Sequence, residues 1–494
     1  MPANFKIKTI SLLLITTAAY IGCKKVEQVT VDIKSPKSSF KVTVTSGYPR
    51  FQLPSNTNYL DSVFYFQNSS ETGADITYKW DFGDGSSSDQ KNPPHAYTAC
   101  GKYKVILTTS RSNKANDTSS VILSVILGQR ELVLAQNINT SAINIVENSD
   151  NSYLLLGTSY DAKVYPYIYT TFLMKLDDNL KQKSLKALTS NIQLNSIIGS
   201  NDGNYIFTGT TSGKSTSNEL IKMTGDGNLL WSKTIGTDNF TSAQQTPDNG
   251  FILTGTRIIK DQYNNEYPKS LIVKTDENGS TQWERFFGQD LVLESVSNII
   301  IQNDGYFMAG VKRKDQGQSP GCSYCDSVCL VKLNTQGNIQ QKSTTDWGLN
   351  TSGFGQVRVS KMVNGNYSVI AGNTRGLYIF SPAGILIDRK LLNYTAAYST
   401  STSDGDIVLL GTEYGNGFRS ILTSYTQNGD YKWKVGIDGS TPVSGGTACC
   451  ADSWPVTVNP LRNGGAIFLS NKVALVDYHY ITTIIKVDKN GQLL

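Results

Sequence analysis

The chain has 494 residues, enough for two or three domains. Only 17% of them are charged, the formal net charge is +5, and there are 26 Tyr and 43 Gly but 2 His. A near-neutral chain without a basic block is a poor nucleic-acid binder, and two histidines leave little room for His-based catalysis or a multi-His metal site. The polar, Gly- and Tyr-rich composition points to an exported all-β protein.

The chain opens with a targeting pattern. Lys6 and Lys8 precede an apolar run from Ile10 to Ile21, too short for a comfortable membrane span. The run ends Tyr20-Ile21-Gly22-Cys23, which resembles a bacterial lipoprotein signal, with Tyr20 where a Leu is usual. The resemblance implies a signal peptide over 1–22 and lipidation of Cys23. It implies an outer-membrane, lipid-anchored protein facing the cell exterior, attached by acyl chains alone. Residues 23–39 are polar, rich in Lys and Ser, and read as a tether.

From 40 to 126 short alternating runs are separated by Gly, Asp, Asn and Ser. Val63-Phe64-Tyr65-Phe66, Thr77-Tyr78-Lys79-Trp80, Tyr103-Lys104-Val105-Ile106-Leu107 and Val121-Ile122-Leu123-Ser124-Val125 predict strands with one buried face. Several such strands in about 85 residues predict a small sandwich. Trp80-Asp81-Phe82-Gly83-Asp84-Gly85, then Pro94-His95-Ala96-Tyr97, then Gly101-Lys102-Tyr103, resemble the PKD (polycystic kidney disease) domain. Trp80 is expected between the sheets, Asp81 and Asp84 as caps of turn N–H groups, and His95 in a core or turn role. The resemblance implies a spacer or adhesion module.

The remainder, 131–494, repeats itself. Gly157, Gly209, Gly255, Gly310, Gly372 and Gly411, with Ser470 in the last copy, recur at intervals of 39 to 62 residues. A second marker, a turn closing on Gly, recurs as Asp226-Gly227, Asn278-Gly279, Gln336-Gly337, Ala383-Gly384, Asn428-Gly429 and Asn490-Gly491, with Asp178-Asn179 in the first copy. Trp231, Trp283 and Trp433 fall at one point of the strand after it. Each copy predicts four strands, a to d, and seven copies predict a seven-bladed β-propeller. A spare strand over 131–136 would complete the seventh blade and close the ring. The fold class is therefore all-β: a small PKD/Ig-like β-sandwich followed by a seven-bladed β-propeller.

In such a ring the a–b and c–d turns share one face and the b–c and d–a loops the other. The second set is longer, and loops on a rigid scaffold carry function. The candidate ligand-binding residues are Tyr165, Tyr167, Tyr263, Tyr267, Tyr478, His479 and Trp454. Aromatics there stack on sugars or anchor proteins; read without a ligand, they are strand-flank packing. Cys322, Cys325, Cys329, Cys449 and Cys450 are disulfide candidates, given an oxidising compartment. Lys175, Lys222, Lys274, Lys332 and Lys486 recur on strand c and read as a structural position, a solvated face with buried stems and not an anion site. No metal site, no cofactor and no catalytic residue is expected. The sequence reading is a noncatalytic module binding a glycan or a cell-surface protein. Two alternatives stand beside it: a glycan-active hydrolase or lyase on the loop face, and a structural component of a surface assembly.

Overall fold

The computed structural model describes residues 38–45, 57–60, 62–73, 75–111, 116–126, 129–132, 138–161, 169–188, 192–211, 217–236, 238–260, 264, 266–287, 296, 298–313, 325–350, 357–371, 375–415, 417–436, 453–473 and 480–494. Every element among them is a β-strand. Two compact units divide the chain near residue 130.

The first unit is a sandwich. One sheet holds Phe40–Thr45, Val63–Asn68 and Pro94–Ala96 in spatial order. The other holds Thr57–Tyr59, Asp117–Ile126, Gly101–Arg111, Ile76–Asp81 and Ser87–Ser88. Alternation sets the core: Phe64 and Phe66 are buried while Tyr65 between them is exposed. Trp80 is fully buried, its ring 5.0 Å from Phe40 and 5.3 Å from Phe66, and its Nε1–H donates to Gln90 O at 2.9 Å. Burying each such ring contributes on the order of 2–3 kcal/mol.

The Trp80–Ser86 segment turns as its residues dictate. Asp81 Oδ1 accepts the Gly83 N–H at 2.9 Å, and Asp84 Oδ1 accepts the Ser86 N–H at 3.0 Å. His95 lies flat on Phe82, ring centroids 4.1 Å apart, with Nε2 2.8 Å from Asp84 Oδ2. Tyr97 donates to Phe82 O at 2.9 Å. His95 is thus part of the turn and the core edge.

The second unit is built of seven four-stranded sheets. Blade one is Ile138–Glu147, Tyr153–Asp161, Thr170–Leu176 and Gln182–Leu188. Blade two is Ile192–Gly199, Tyr205–Thr211, Asn218–Met223 and Leu229–Gly236. Blade three is Asn239–Gln245, Phe251–Lys260, Glu266–Thr275 and Thr281–Phe286. Blade four is Ile299–Gln302, Gly305–Arg313, Cys325–Asn334 and Ile339–Asn350. Blade five is Val357–Lys361, Tyr367–Ala371, Gly376–Phe380 and Leu386–Leu391. Blade six is Thr395–Ser401, Ile407–Gly415, Gly417–Tyr425 and Tyr431–Gly436. Blade seven is Ser453–Pro460, Ala466–Val473 and Tyr480–Val487, and its fourth strand is Gln129–Leu132.

Burial follows position in the blade. The second strand of blade two is buried over Tyr205–Gly209, whereas its fourth strand is mostly exposed. Apolar side chains from consecutive blades merge, as in the cluster of Leu154, Leu156 and Leu173 with Ile197, Phe207 and Ile221.

The recurring strand-b marker has a steric cause. In blades one, two, three and six it pairs with the last residue before a bulge in strand a: Ala142↔Gly157, Leu194↔Gly209, Phe240↔Gly255 and Ala396↔Gly411. A Cβ on Gly255 would stand 2.3 Å from Asn239 O, and one on Gly411 2.3 Å from Thr395 O. In blade seven Ser470 pairs with Pro455 at the same bulge, and its Oγ donates to Trp454 O at 3.0 Å.

The c–d turns begin with an acceptor side chain in every blade: Asp177, Thr224, Asp276, Asn334, Ser381, Thr426 and Asp488. Each accepts the backbone N–H four residues on, as in Asp276 Oδ1 to Ser280 N at 2.7 Å. The fourth turn residue has positive φ and is Gly in six blades. In blade one it is Leu180, at φ 56°, one residue after the Asp178-Asn179 pair expected to form the turn.

Candidate functional site

The loop face carries the predicted ligand-binding residues. Tyr165, Tyr167, Tyr263, Tyr478 and His479 lie outside the described residues. Tyr267 is in the third strand of blade three, paired with Ile259, and its side chain lies outside the description as well. Trp454 is on the first strand of blade seven, at that strand's loop-face end, and 37% exposed. In the adjoining blade one, Tyr160 is the last residue but one of the second strand and Tyr169 precedes the third. Their rings meet with centroids 4.9 Å apart and planes at 50°, and Tyr169 is 61% exposed.

A buried polar network joins these two blades beneath the aromatics. Trp454 pairs across the strands with Asn471. Asn471 Oδ1 accepts from Ala142 N at 3.2 Å and from Thr482 Oγ1 at 2.8 Å, while its Nδ2 donates to Ser141 Oγ at 2.8 Å. Thr482 Oγ1 in turn accepts Ala142 N at 2.9 Å. Asn459 Nδ2, nearer the other end of the same strand, donates to Ile145 O at 2.6 Å. Buried amides and hydroxyls satisfied in this way fix one register. They hold the strands that present Trp454 and Tyr160 at a set spacing.

Comparable contacts run round the ring, and sequence reasoning missed them. Asn144 reaches Ile197 O, Gln244 reaches Ile299 O, Asn298 reaches Val359 O and Arg358 Nε reaches Ala397 O, at 2.7 to 3.3 Å. Each goes from the first strand of one blade, or the residue before it, to the first strand of the next. The Arg358 guanidinium also lies 4.1 Å over the Tyr398 ring, and its burial pulls the pKa down.

The cysteine expectation is corrected at Cys329. Its side chain is fully buried among Ile252, Ile272, Ile299 and Val331, as a thiol that receives a hydrogen bond from Thr344 Oγ1 at 3.7 Å. Its position in mid-strand directs it into the apolar seam between blades three and four. No disulfide joins the described cysteines. Cys325 opens the strand Cys325–Asn334 with its side chain undescribed, and Cys322, Cys449, Cys450 and the lipidation candidate Cys23 lie outside the described residues.

The turn face carries the strand-c lysines, and here too the structure corrects the sequence reading. They are ion-paired to turn carboxylates: Lys175 to Asp226 at 2.6 Å, Lys222 to Asp202 at 2.6 Å, Lys274 to Asp248 at 2.9 Å, Lys332 to Asp304 at 2.7 Å and Lys486 to Asp178 at 2.7 Å. Lys274 is only 2% exposed, so this position is not a solvated face throughout. Hydrogen bonding from Lys175 holds Asp226 below the ordinary carboxylate range, and Lys332 does the same for Asp304. At Asp202 burial opposes ionisation, but Lys222 and the groups of Asn204 and Ser200 outweigh it and push the pKa far down. Among the described residues no three His, Cys, Asp or Glu side chains come together around a common ion position. No helix among them is long and apolar enough to cross a membrane.

Comparison with known proteins adds to this geometry. Residues 56–125 match the PKD domain family. The chain is 35% identical over 95 residues to a microbial collagenase of Vibrio alginolyticus, a stretch covering 18% of this chain and 12% of that one. It is 43% identical over 54 residues to collagenase ColA of Bacillus cereus, covering 10% and 6%. The chain therefore spans about an eighth or less of the length of these curated relatives. Among solved structures it is similar to virginiamycin B lyase from Staphylococcus aureus, at 12% identity and a TM-score of 0.42, covering 72% of this chain and 98% of that one.

Proposed function

We propose that this protein is a noncatalytic binding module of the cell envelope, anchored through a lipid on Cys23, with the PKD domain as spacer and the propeller as receptor. The observation that carries the reading is the set of rings at the loop-face ends of two adjoining blades: Trp454 on blade seven, 37% exposed, and on blade one the half-buried Tyr160 against Tyr169, 61% exposed. A flat amphipathic ring with a polar edge suits the C–H faces and hydroxyls of a sugar, or an extended protein surface. The described amides and hydroxyls that join the two blades beneath Trp454 are engaged with one another, which suits a positioning role. A glycan is the preferred ligand and a cell-surface protein the alternative. The collagenase similarity covers too little of either chain to bring a protease activity with it.

The test is affinity electrophoresis of residues 24–494 through gels containing xylan, laminarin, pullulan or galactomannan. The wild-type chain is expected to be retarded by at least one polysaccharide, and Trp454→Ala and Tyr169→Ala to reduce that retardation about tenfold or more, as loss of an aromatic anchor does. Full retardation of both variants would overturn the loop-face assignment.

A further inference from the structure

The three tryptophans at the same point of strand d do not make the same contacts. Trp283 Nε1 donates to Thr335 O at 3.0 Å, and Trp433 Nε1 donates to Lys489 O at 3.0 Å. In each case the acceptor is the second residue of the next blade's c–d turn, so the indole locks that blade to its neighbour. The corresponding residue for Trp231 is Glu277. Trp231 packs its six-membered ring against the turn at Gly279, as Trp283 does at Gly337, yet its N–H has no acceptor among the described residues.

A cleft lies at this place and takes in the half-buried Trp231 ring. Its volume is about 390 Å³, within the range of small-molecule sites. One wall is the a–b turn of blade two with Asp202 and Lys222, and the other is formed by Asn249 and by Glu277 and Asn278 of blade three. Gln245 ties the two walls: its Oε1 accepts Asn201 N at 2.7 Å and its Nε2 donates to Asn249 O at 3.3 Å. The walls therefore belong to two blades held at a fixed separation.

The chemistry of the lining selects a ligand class. Asp202 and Lys222 neutralise each other at 2.6 Å. That leaves the Glu277 carboxylate as acceptor, the Asn249 and Asn278 amides as both donors and acceptors, and the indole N–H as a donor. No net positive charge is present to hold a phosphate or an acidic sugar. A neutral ring bearing several hydroxyls satisfies both kinds of group at once. We infer that the cleft between blades two and three is a saccharide subsite, in which the Trp231 N–H donates to a sugar hydroxyl oxygen and Glu277 accepts from a neighbouring hydroxyl. It lies on the face opposite Trp454 and does not depend on the loop-face reading.

The test uses residues 24–494 labelled with 5-fluorotryptophan and observed by ¹⁹F NMR, with cellohexaose, laminarihexaose and maltohexaose as probes. The Trp231 resonance is assigned by its loss in Trp231→Phe. It should shift on titration with at least one probe while the Trp283 and Trp433 resonances stay in place. Trp231→Phe keeps an aromatic side chain but removes the N–H donor and part of the ring surface, so its affinity should fall at least about three- to tenfold, the worth of the hydrogen bond alone. Trp283→Phe should leave the affinity unchanged. A Trp231 resonance unmoved by all three probes, one moved instead by spermidine, or unchanged affinity in Trp231→Phe would overturn the inference. Loss of the loop-face site in Trp454→Ala leaves this readout intact, so the two proposals fail separately.

Discussion

Gly255 shows how a single residue type is forced. The strand-a bulge brings Asn239 O to 2.3 Å from where a Cβ would stand, and Phe240 Cδ1 to 2.9 Å. Gly255→Ala should therefore destabilise the propeller by on the order of 2 kcal/mol or more, as overpacking of a close backbone contact does. Denaturant titration of the variant measures this, and a midpoint equal to wild type would contradict the steric account. The glycine was legible in the sequence because steric exclusion leaves a repeated letter. The same was true of Trp80 and the Asp81–Asp84 turn, where each residue type has one use. Cys329 was misread for the opposite reason. A thiol serves as a small apolar side chain as well as a disulfide half, and three cysteines within eight positions suggest the second use while the strand pleat imposes the first. The inner contacts from Asn144, Gln244, Asn298 and Arg358 left no signal, because different residue types at different strand positions make the same kind of bond.

At the scale of the element, the turn face is a set of hairpin ends pinned by lysine–aspartate pairs. The sign of their pH dependence follows from the depressed pKa of Asp226 and Asp304. A carboxylate with a lower pKa folded than unfolded stabilises the fold fully above its unfolded value near 4. That stabilisation is lost as pH falls through the folded value. Thermal unfolding should therefore show a steady midpoint from neutral pH down to about 5 and a falling one below about 4. Lys175→Met returns Asp226 toward the ordinary range, so its midpoint should fall less steeply than wild type below pH 4. Parallel profiles for the two would show that the Lys175–Asp226 pair carries no linkage. The strands and turns themselves were readable from period-two alternation and Asx-type turn residues. Which lysines would be buried was not, because burial at Lys274 depends on the packing around it and not on its own strand.

Taken whole, the molecule is a closed ring of seven sheets preceded in the chain by a sandwich. The repeat count was visible in the sequence because each blade must solve the same turn and bulge problems. Trp454 was visible too, as an aromatic at a loop-face strand end. The cleft at Trp231 was not, since its walls are assembled from turns of two blades that are separated in the sequence. As a receptor, the ring is expected to bind its ligand and leave it intact. The most direct measurement is a screen of residues 24–494 against a broad polysaccharide panel, recording bound protein and released reducing ends in the same wells. A noncatalytic receptor should bind at least one polysaccharide with no reducing ends above the protein-free control. Release of reducing ends would contradict it and place a glycan-active enzyme first. Absence of binding across the panel would contradict the glycan form and leave the protein partner, to be sought by crosslinking on cells.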